Sequence, residues 1–222
     1  MAKKKAKLEK ERPEQIKKNR QENAIIGVIV GVLLLLIIAV ILVSASNHFR
    51  YLGLEFKKEK YGNLLIYSAN VPIIGSGGNI TAYVPLDLRN DPRTLRDIPV
   101  NTSGYVGFLK DVNTYISMNP YMENCEDNGI ALGGLGIFFS RAGVSVKAAF
   151  NNKSYAEPKG DLYITCQNAT TNTVIIVDSG NETGITEVAE NCFKIEFNNC
   201  EILKATEKFQ LLIVEQYMLA QE

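Results

Sequence analysis

The chain has 222 residues, 46% of them hydrophobic, and its 24 basic side chains balance 24 acidic ones. That length excludes a large multidomain chain and leaves room for one ordinary domain with a substantial core. The zero net charge averages unlike parts: residues 1–23 carry nine basic against four acidic side chains, a net of +5, and the remainder carries 15 against 20, a net of −5.

Residues 1–23 are nearly free of apolar side chains and are interrupted by Pro13. They cannot fold alone. The segment reads as a basic cytoplasmic tail, either a topology signal or a strip drawn to anionic headgroups. With no aromatic residue interleaved to stack on bases, no nucleic-acid partner is expected.

Residues 24–43 (AIIGVIVGVLLLLIIAVILV) contain no charge. At about 1.5 Å per residue they would make a helix of roughly 30 Å, the thickness of a bilayer's hydrocarbon core. Basic residues on the N-terminal flank predict a single-pass signal anchor with the N-terminus inside and residues 44–222 outside the cell membrane. A cleaved secretory signal, with Val43-Ser44-Ala45 as its cleavage site, is the competing reading; the length of the apolar run and the hydrophilic tail before it favour the anchor. A pilin-type leader is disfavoured because no small residue follows Lys17-Lys18. Gly27 and Gly31 form a G-x-x-x-G pair that would let a second span approach, so a homodimer through the span is expected if the pattern is more than the usual abundance of glycine in membrane helices.

In the exported part, Phe49–Lys57 and Asn63–Ala69 read as strands joined by a Lys-rich turn ending at Gly62, and Ile80–Leu88 as a third strand. Pro85 places that strand at an edge or a bulge. Arg89-Asn90-Asp91-Pro92-Arg93 follows. Arg89 and Arg93 could converge with Asp91 into a ligand or partner cluster, or could simply pair with Asp87, Asp91 or Asp97 in a turn. Tyr105–Leu109 is a candidate strand. From Glu126 a helix is expected through Leu132, Leu135, Phe138, Phe139 and Ala142, closed by Gly143, with Gly133, Gly134 and Gly136 allowing tight packing on a sheet. Val144–Phe150 alternates as a strand with one buried face. Leu162–Cys166, Thr173–Val177 and Phe193–Phe197 are further strands, with 178–184 a turn-rich loop. Ile202, Ala205, Phe209, Leu212, Ile213 and Tyr217 mark a terminal helix, with a strand over Phe209–Val214 as the alternative. The fold class is a mixed α/β (α+β) domain with a mixed sheet.

Cys125, Cys166, Cys192 and Cys200 all follow the span, as suits two disulfides in an oxidising compartment. Cys192 with Cys200 and Cys125 with Cys166 is the preferred pairing among three; a zinc site lacks C-x-x-C spacing. Five N-x-S/T sequons, at Asn79, Asn101, Asn152, Asn168 and Asn181, also follow the span, against about two expected by chance, and are glycosylation candidates. His48, the only histidine, stands beside the span, so no His-based triad is available. G-x-S-x-G, H-E-x-x-H, P-loop and dinucleotide motifs are absent, and neither a metal nor a cofactor is expected.

The basic tail, the single span, Arg89-Asn90-Asp91-Pro92-Arg93 and the run CFKIEFNNCEILKATEKF together resemble uncharacterised single-span envelope proteins of small-genome archaea. The resemblance implies an archaeal envelope location and carries no known activity or catalytic residue. The expected function is a membrane-anchored extracytoplasmic domain that binds, or assembles with, envelope proteins. The alternative is an anchored extracytoplasmic hydrolase using acidic residues, which requires carboxylates converging in a cleft.

Overall fold

The computed structural model describes residues 29–38, 47–75, 77–108 and 112–221, and the chain divides into one unit ending at His48 and a second spanning Phe49–Glu222. In the first unit residues 29–38 are helical. Every large apolar side chain among them is between 49% and 68% exposed. Among the described residues no helix is long and apolar enough to cross a membrane. The tail, Gly27 and the rest of 24–43 lie outside the described residues.

The second unit is the mixed α/β domain that the alternating patterns predict. β1 (His48–Tyr51), β2 (Leu54–Tyr61), β3 (Leu64–Ile74) and β4 (Ile80–Leu88) form a four-stranded sheet in that order. Phe49–Lys57 is therefore two strands, turned by Leu52 and Gly53, both at positive φ, and the Lys-rich stretch belongs to β2. Backbone chirality outranks the hydrophobic pattern at that point, because a two-residue turn with both φ values positive matches strand twist. β4 is an edge strand, as Pro85 requires.

A six-stranded sheet has the order β5-β9-β10-β8-β6-β7. Its strands are β5 (Val100–Asn101), β6 (Thr114–Met118), β7 (Val146–Phe150), β8 (Thr173–Ser179), β9 (Gly184–Ala189) and β10 (Cys192–Phe197). All pairings are parallel except β9 with β10, which makes the sheet mixed. Between β6 and β7 runs α1 (Asn128–Arg141), a four-residue α2 (Lys153–Ala156) follows β7, and α3 (Ile202–Leu219) closes the chain.

Two faces of this sheet are buried, which is why β8 reads as an uninterrupted apolar run. Ile175, Val177, Phe193, Ile195 and Phe197 join α1 and α3 in the main core, while Val174 and Cys192 pack with Ala149, Ile164 and Ala169 in a second, smaller core. Leu86, Leu88 and Val84 of β4 belong to the same main core, so α1 and α3 lie between the two sheets. This position explains α3. Ala205, Thr206, Glu207, Phe209, Gln210, Leu211 and Leu212 are all buried, which covers almost every direction around the helix. Phe209 meets Phe193 of the six-stranded sheet at 5.8 Å and Phe139 of α1 at 6.5 Å between ring centres.

Several expectations are corrected. Residues 105–108 are irregular rather than a strand. Leu162–Cys166 makes only a single bridge, Tyr163 with Phe150, because Thr165 and Asn168 form a capping box that turns the chain into a short 3-10 helix. β7 buries Ala149 and exposes Ala148, the reverse of the alternation expected, since Ala149 faces the second core. A Cβ on Gly133, Gly134 or Gly136 would meet nothing within 4 Å, so these glycines do not serve tight packing on a sheet.

Both disulfides form, with a pairing different from the expected one. Cys125 joins Cys200 and Cys166 joins Cys192, each with Cα atoms 5.4 Å apart. Cys192 begins β10 and Cys200 follows its end. An extended strand rises about 3.3 Å per residue, so the six residues of β10 hold Cys192 and Cys200 toward opposite ends of the strand.

Candidate functional site

Three concavities are shaped by the layers just described. The most apolar, about 380 Å³, is walled by Val71 and Ile73 of β3, Val84 of β4, Phe138 and Phe139 of α1, Ile213, Val214 and Tyr217 of α3, and the loop at 105–108. Its walls come from period-two positions on the strands and helix-period positions on α1 and α3, which the two-sheet arrangement turns toward each other. The loop is pinned from α3. Gln216 Oε1 accepts from the Val106 N–H at 2.6 Å, and its Nε2 donates to the Gly104 carbonyl at 3.2 Å. Phe108 meets Phe139 edge-on at 4.9 Å between ring centres. Tyr217 Oη accepts from the Ile74 N–H at 2.8 Å, and Tyr105 stands 58% exposed beside the opening. Such a recess can take an apolar group and offers polar contacts around it.

A second cavity, about 320 Å³, lies between the end of β4, the glycine-bearing face of α1 and the first half of α3, with Asp87, Arg89, Gly129, Gly133, Gly134 and Glu207 among its lining. Glu207 is only 3% exposed. Its carboxylate accepts from the Arg89 N–H at 2.5 Å, the Asn90 N–H at 3.0 Å and the Asn90 Nδ2 at 2.8 Å. Burial pushes this carboxyl above the ordinary carboxylate value, opposed by those hydrogen bonds and by the Arg89 charge. Its acceptor capacity is spent on the backbone that ends β4. Asp87 is similarly engaged, accepting from Ser68 Oγ at 2.8 Å and pairing with Arg141 at 2.9 Å.

The third, about 420 Å³, is polar and sits beyond the carboxyl ends of β8 and β10, lined by Asn181, Thr183, Asn198, Glu201 and Lys204 among others. Parallel α/β sheets commonly bind ligands at that edge. Here the groups satisfy each other. Thr183 Oγ1 and Lys204 Nζ donate to Glu201 at 2.8 and 2.7 Å, and Asn198 Nδ2 donates to the Asn181 carbonyl at 2.8 Å. The lysine and threonine hold Glu201's carboxyl below its ordinary value.

Arg89, Asp91 and Arg93 are adjacent in sequence but serve different places. Asp91 caps a 3-10 helix over Pro92–Asp97, accepting from the Arg93 N–H at 3.0 Å. Arg93 returns Nε and Nη2 to the same carboxylate at 2.9 and 2.6 Å and lays its guanidinium 4.1 Å from the Phe49 ring centre. Arg89 lines the second cavity. The sulfurs of Cys125 and Cys200 lie close to the Glu123 carboxylate, but both are committed to a disulfide and supply no thiolate for a metal. Asn79, Asn101, Asn168 and Asn181 are exposed, whereas Asn152 is half-buried and its Oδ1 caps α2 by accepting from the Tyr155 N–H at 3.1 Å. Gly31 lies within the helical stretch 29–38, open on all sides to a Cβ.

Glu207, Gln216 and Tyr217 carry structural or lining roles that composition did not reveal. Glu207 could have been noticed as a carboxylate one helical turn from both Leu203 and Leu211. Fold and cavities together define a disulfide-clamped α/β domain with an apolar recess between two sheets. Comparison with protein-family models, curated proteins and solved structures finds no match to this chain.

Proposed function

We propose that the chain is an N-inside, single-pass membrane protein whose extracytoplasmic domain binds an apolar group of an envelope partner in the recess beside Tyr105 and Tyr217. The observation that carries the binding assignment is the recess itself, about 380 Å³ with a lining dominated by apolar side chains and held open by a hydrogen-bonded loop. The anchor is supported by the uncharged run 24–43, by the exposed apolar side chains of its described part, and by the disulfides and sequons that all follow it. A hydrolase using acidic residues finds less support, because Asp87, Glu201 and Glu207, three of the five carboxylates lining the other two cavities, are held by hydrogen bonds or ion pairs, and a fourth, Asp97, pairs with Arg96. Arg89 is retained as a contact for a partner's anionic group at the second cavity, and Gly27 with Gly31 as a pairing face within the membrane.

A photo-crosslinking side chain at position 105 of the full chain in native membranes tests the recess. A discrete partner adduct is expected there, lost in Ala142→Trp, since Ala142 lines the recess just past the end of α1, and absent when the crosslinker stands at the exposed Tyr83 instead. Equal adducts at both positions, or none at 105, would remove the recess as the binding site.

A further inference from the structure

Beyond Tyr67 the first sheet narrows to two strands. β4 ends at Leu88, paired with Tyr67, and β1 begins at His48, one residue beyond Phe49, whose ring stacks on Phe56 at 5.5 Å between centres. β2 and β3 continue together, pairing Lys58 with Tyr67, Lys60 with Leu65 and Tyr61 with Leu64, and turn at Gly62, whose φ is +63°. From Lys58, level with Tyr67, to Tyr61 the hairpin projects by about 10 Å.

The direction of that projection is fixed by the chain's path. β1 enters its hairpin through the turn at Leu52 and Gly53, so its first residue, His48, faces the same end of the sheet as the β2–β3 tip. The apolar run ends at Val43, five residues before His48. Fully extended, those five steps reach about 18 Å at most. With a tether of at most that length, a hairpin projecting about 10 Å from the end of the sheet that holds His48 is within reach of the lipid surface.

We infer that the β2–β3 hairpin is a membrane-contact element that rests Lys58, Lys60 and Tyr61 on anionic lipid headgroups; this rests on the anchor reading above. Its chemistry fits that surface. Residues 57–66 hold three Lys against one Glu in a part of the chain whose net charge is −5. Lys57 and Tyr61 both engage Glu59, at 2.7 and 2.5 Å, and Lys58 lies 5.9 Å from the Tyr67 ring centre. Lys57, Lys58, Lys60 and Tyr61 are exposed, Tyr61 by 60%, and Leu64, Leu65 and Ile66 are half-buried. A tyrosine with lysines beside half-covered aliphatic residues suits the headgroup boundary. None of the five sequons falls on the hairpin, and Asn79 marks the opposite end of the same sheet.

The chain has no tryptophan, so a single one reports its own surroundings. Full-length Tyr61→Trp and, as the far-end control, Tyr83→Trp are reconstituted into phosphatidylcholine vesicles containing phosphatidylglycerol and bromine-labelled lipid. Both proteins should float with the vesicles. Emission from Tyr61→Trp should shift to shorter wavelength and lose most of its intensity to the bromolipid, and emission from Tyr83→Trp should not. Replacing Lys57, Lys58 and Lys60 with Gln, or raising salt, should reverse much of that loss. Flotation without selective quenching at position 61 overturns the hairpin contact and leaves the anchor standing, whereas failure to float overturns both.

Discussion

A carboxylate 3% exposed, as Glu207 is, remains in a core only when its oxygens are occupied, and the N–H groups of Arg89 and Asn90 occupy them. Glu207→Ala strands three part-buried donors, the N–H groups of Arg89 and Asn90 and the Asn90 Nδ2, and a loss of about 3 kcal/mol is expected in chemical denaturation. The pH dependence has a definite sign. Burial raises the folded carboxyl of Glu207, so its protonated form is favoured in the folded chain, and the associated stability is full below the ordinary value of 4.5 and declines as pH rises through the folded one. Measured against Glu207→Gln, the parent protein should gain stability on acidification. Asp91 behaves oppositely. The Arg93 hydrogen bonds lower its carboxyl, so its contribution is present above 3.8 and is lost as pH falls through the folded value. Asp91→Asn should therefore flatten the acid limb of the stability curve, and an unchanged limb would show that the cap contributes nothing.

Two elements are clamped by sulfur, and the loops they close differ in length. Cys125–Cys200 spans 75 residues and ties the approach of α1 to that of α3, while Cys166–Cys192 spans 26 and fastens the 3-10 segment over the second core to β10. On chain entropy alone these contribute about 4.5 and 3.5 kcal/mol. Paired Cys→Ser variants should lose stability in that order, and loss of the shorter bridge should raise amide exchange first around Ile164 and Ala169. β4, β8, β10, α1 and α3 are readable because each places several apolar side chains in a run or at its hydrophobic period. β6 and β9 are not: β6 buries Thr114 and Ser117 beside Ile116, and Ile185 is the single buried side chain of β9. Nearness along the chain mispredicts the disulfide pairing, because β10 lies between Cys192 and Cys200. Turn chirality at Leu52 and Gly53 and the capping box at Thr165 are local rules that override a favourable apolar pattern.

At the scale of the molecule, the apolar recess left no motif to find. Ile74 and Tyr217, which bond beside it, are 143 residues apart, and only the folded chain brings β3 and α3 together. The charge asymmetry, the uncharged run and the placement of cysteines and sequons were legible because each is a one-dimensional property of the chain. They support the topology proposed above, with residues 1–23 inside and the disulfide-bonded domain outside. Brief treatment of intact cells with a membrane-impermeant protease measures it directly. Loss of an epitope at the C-terminus, with an epitope at the N-terminus surviving until the cells are opened, is the predicted result. A C-terminal epitope that survives in intact cells and disappears only after lysis would contradict it.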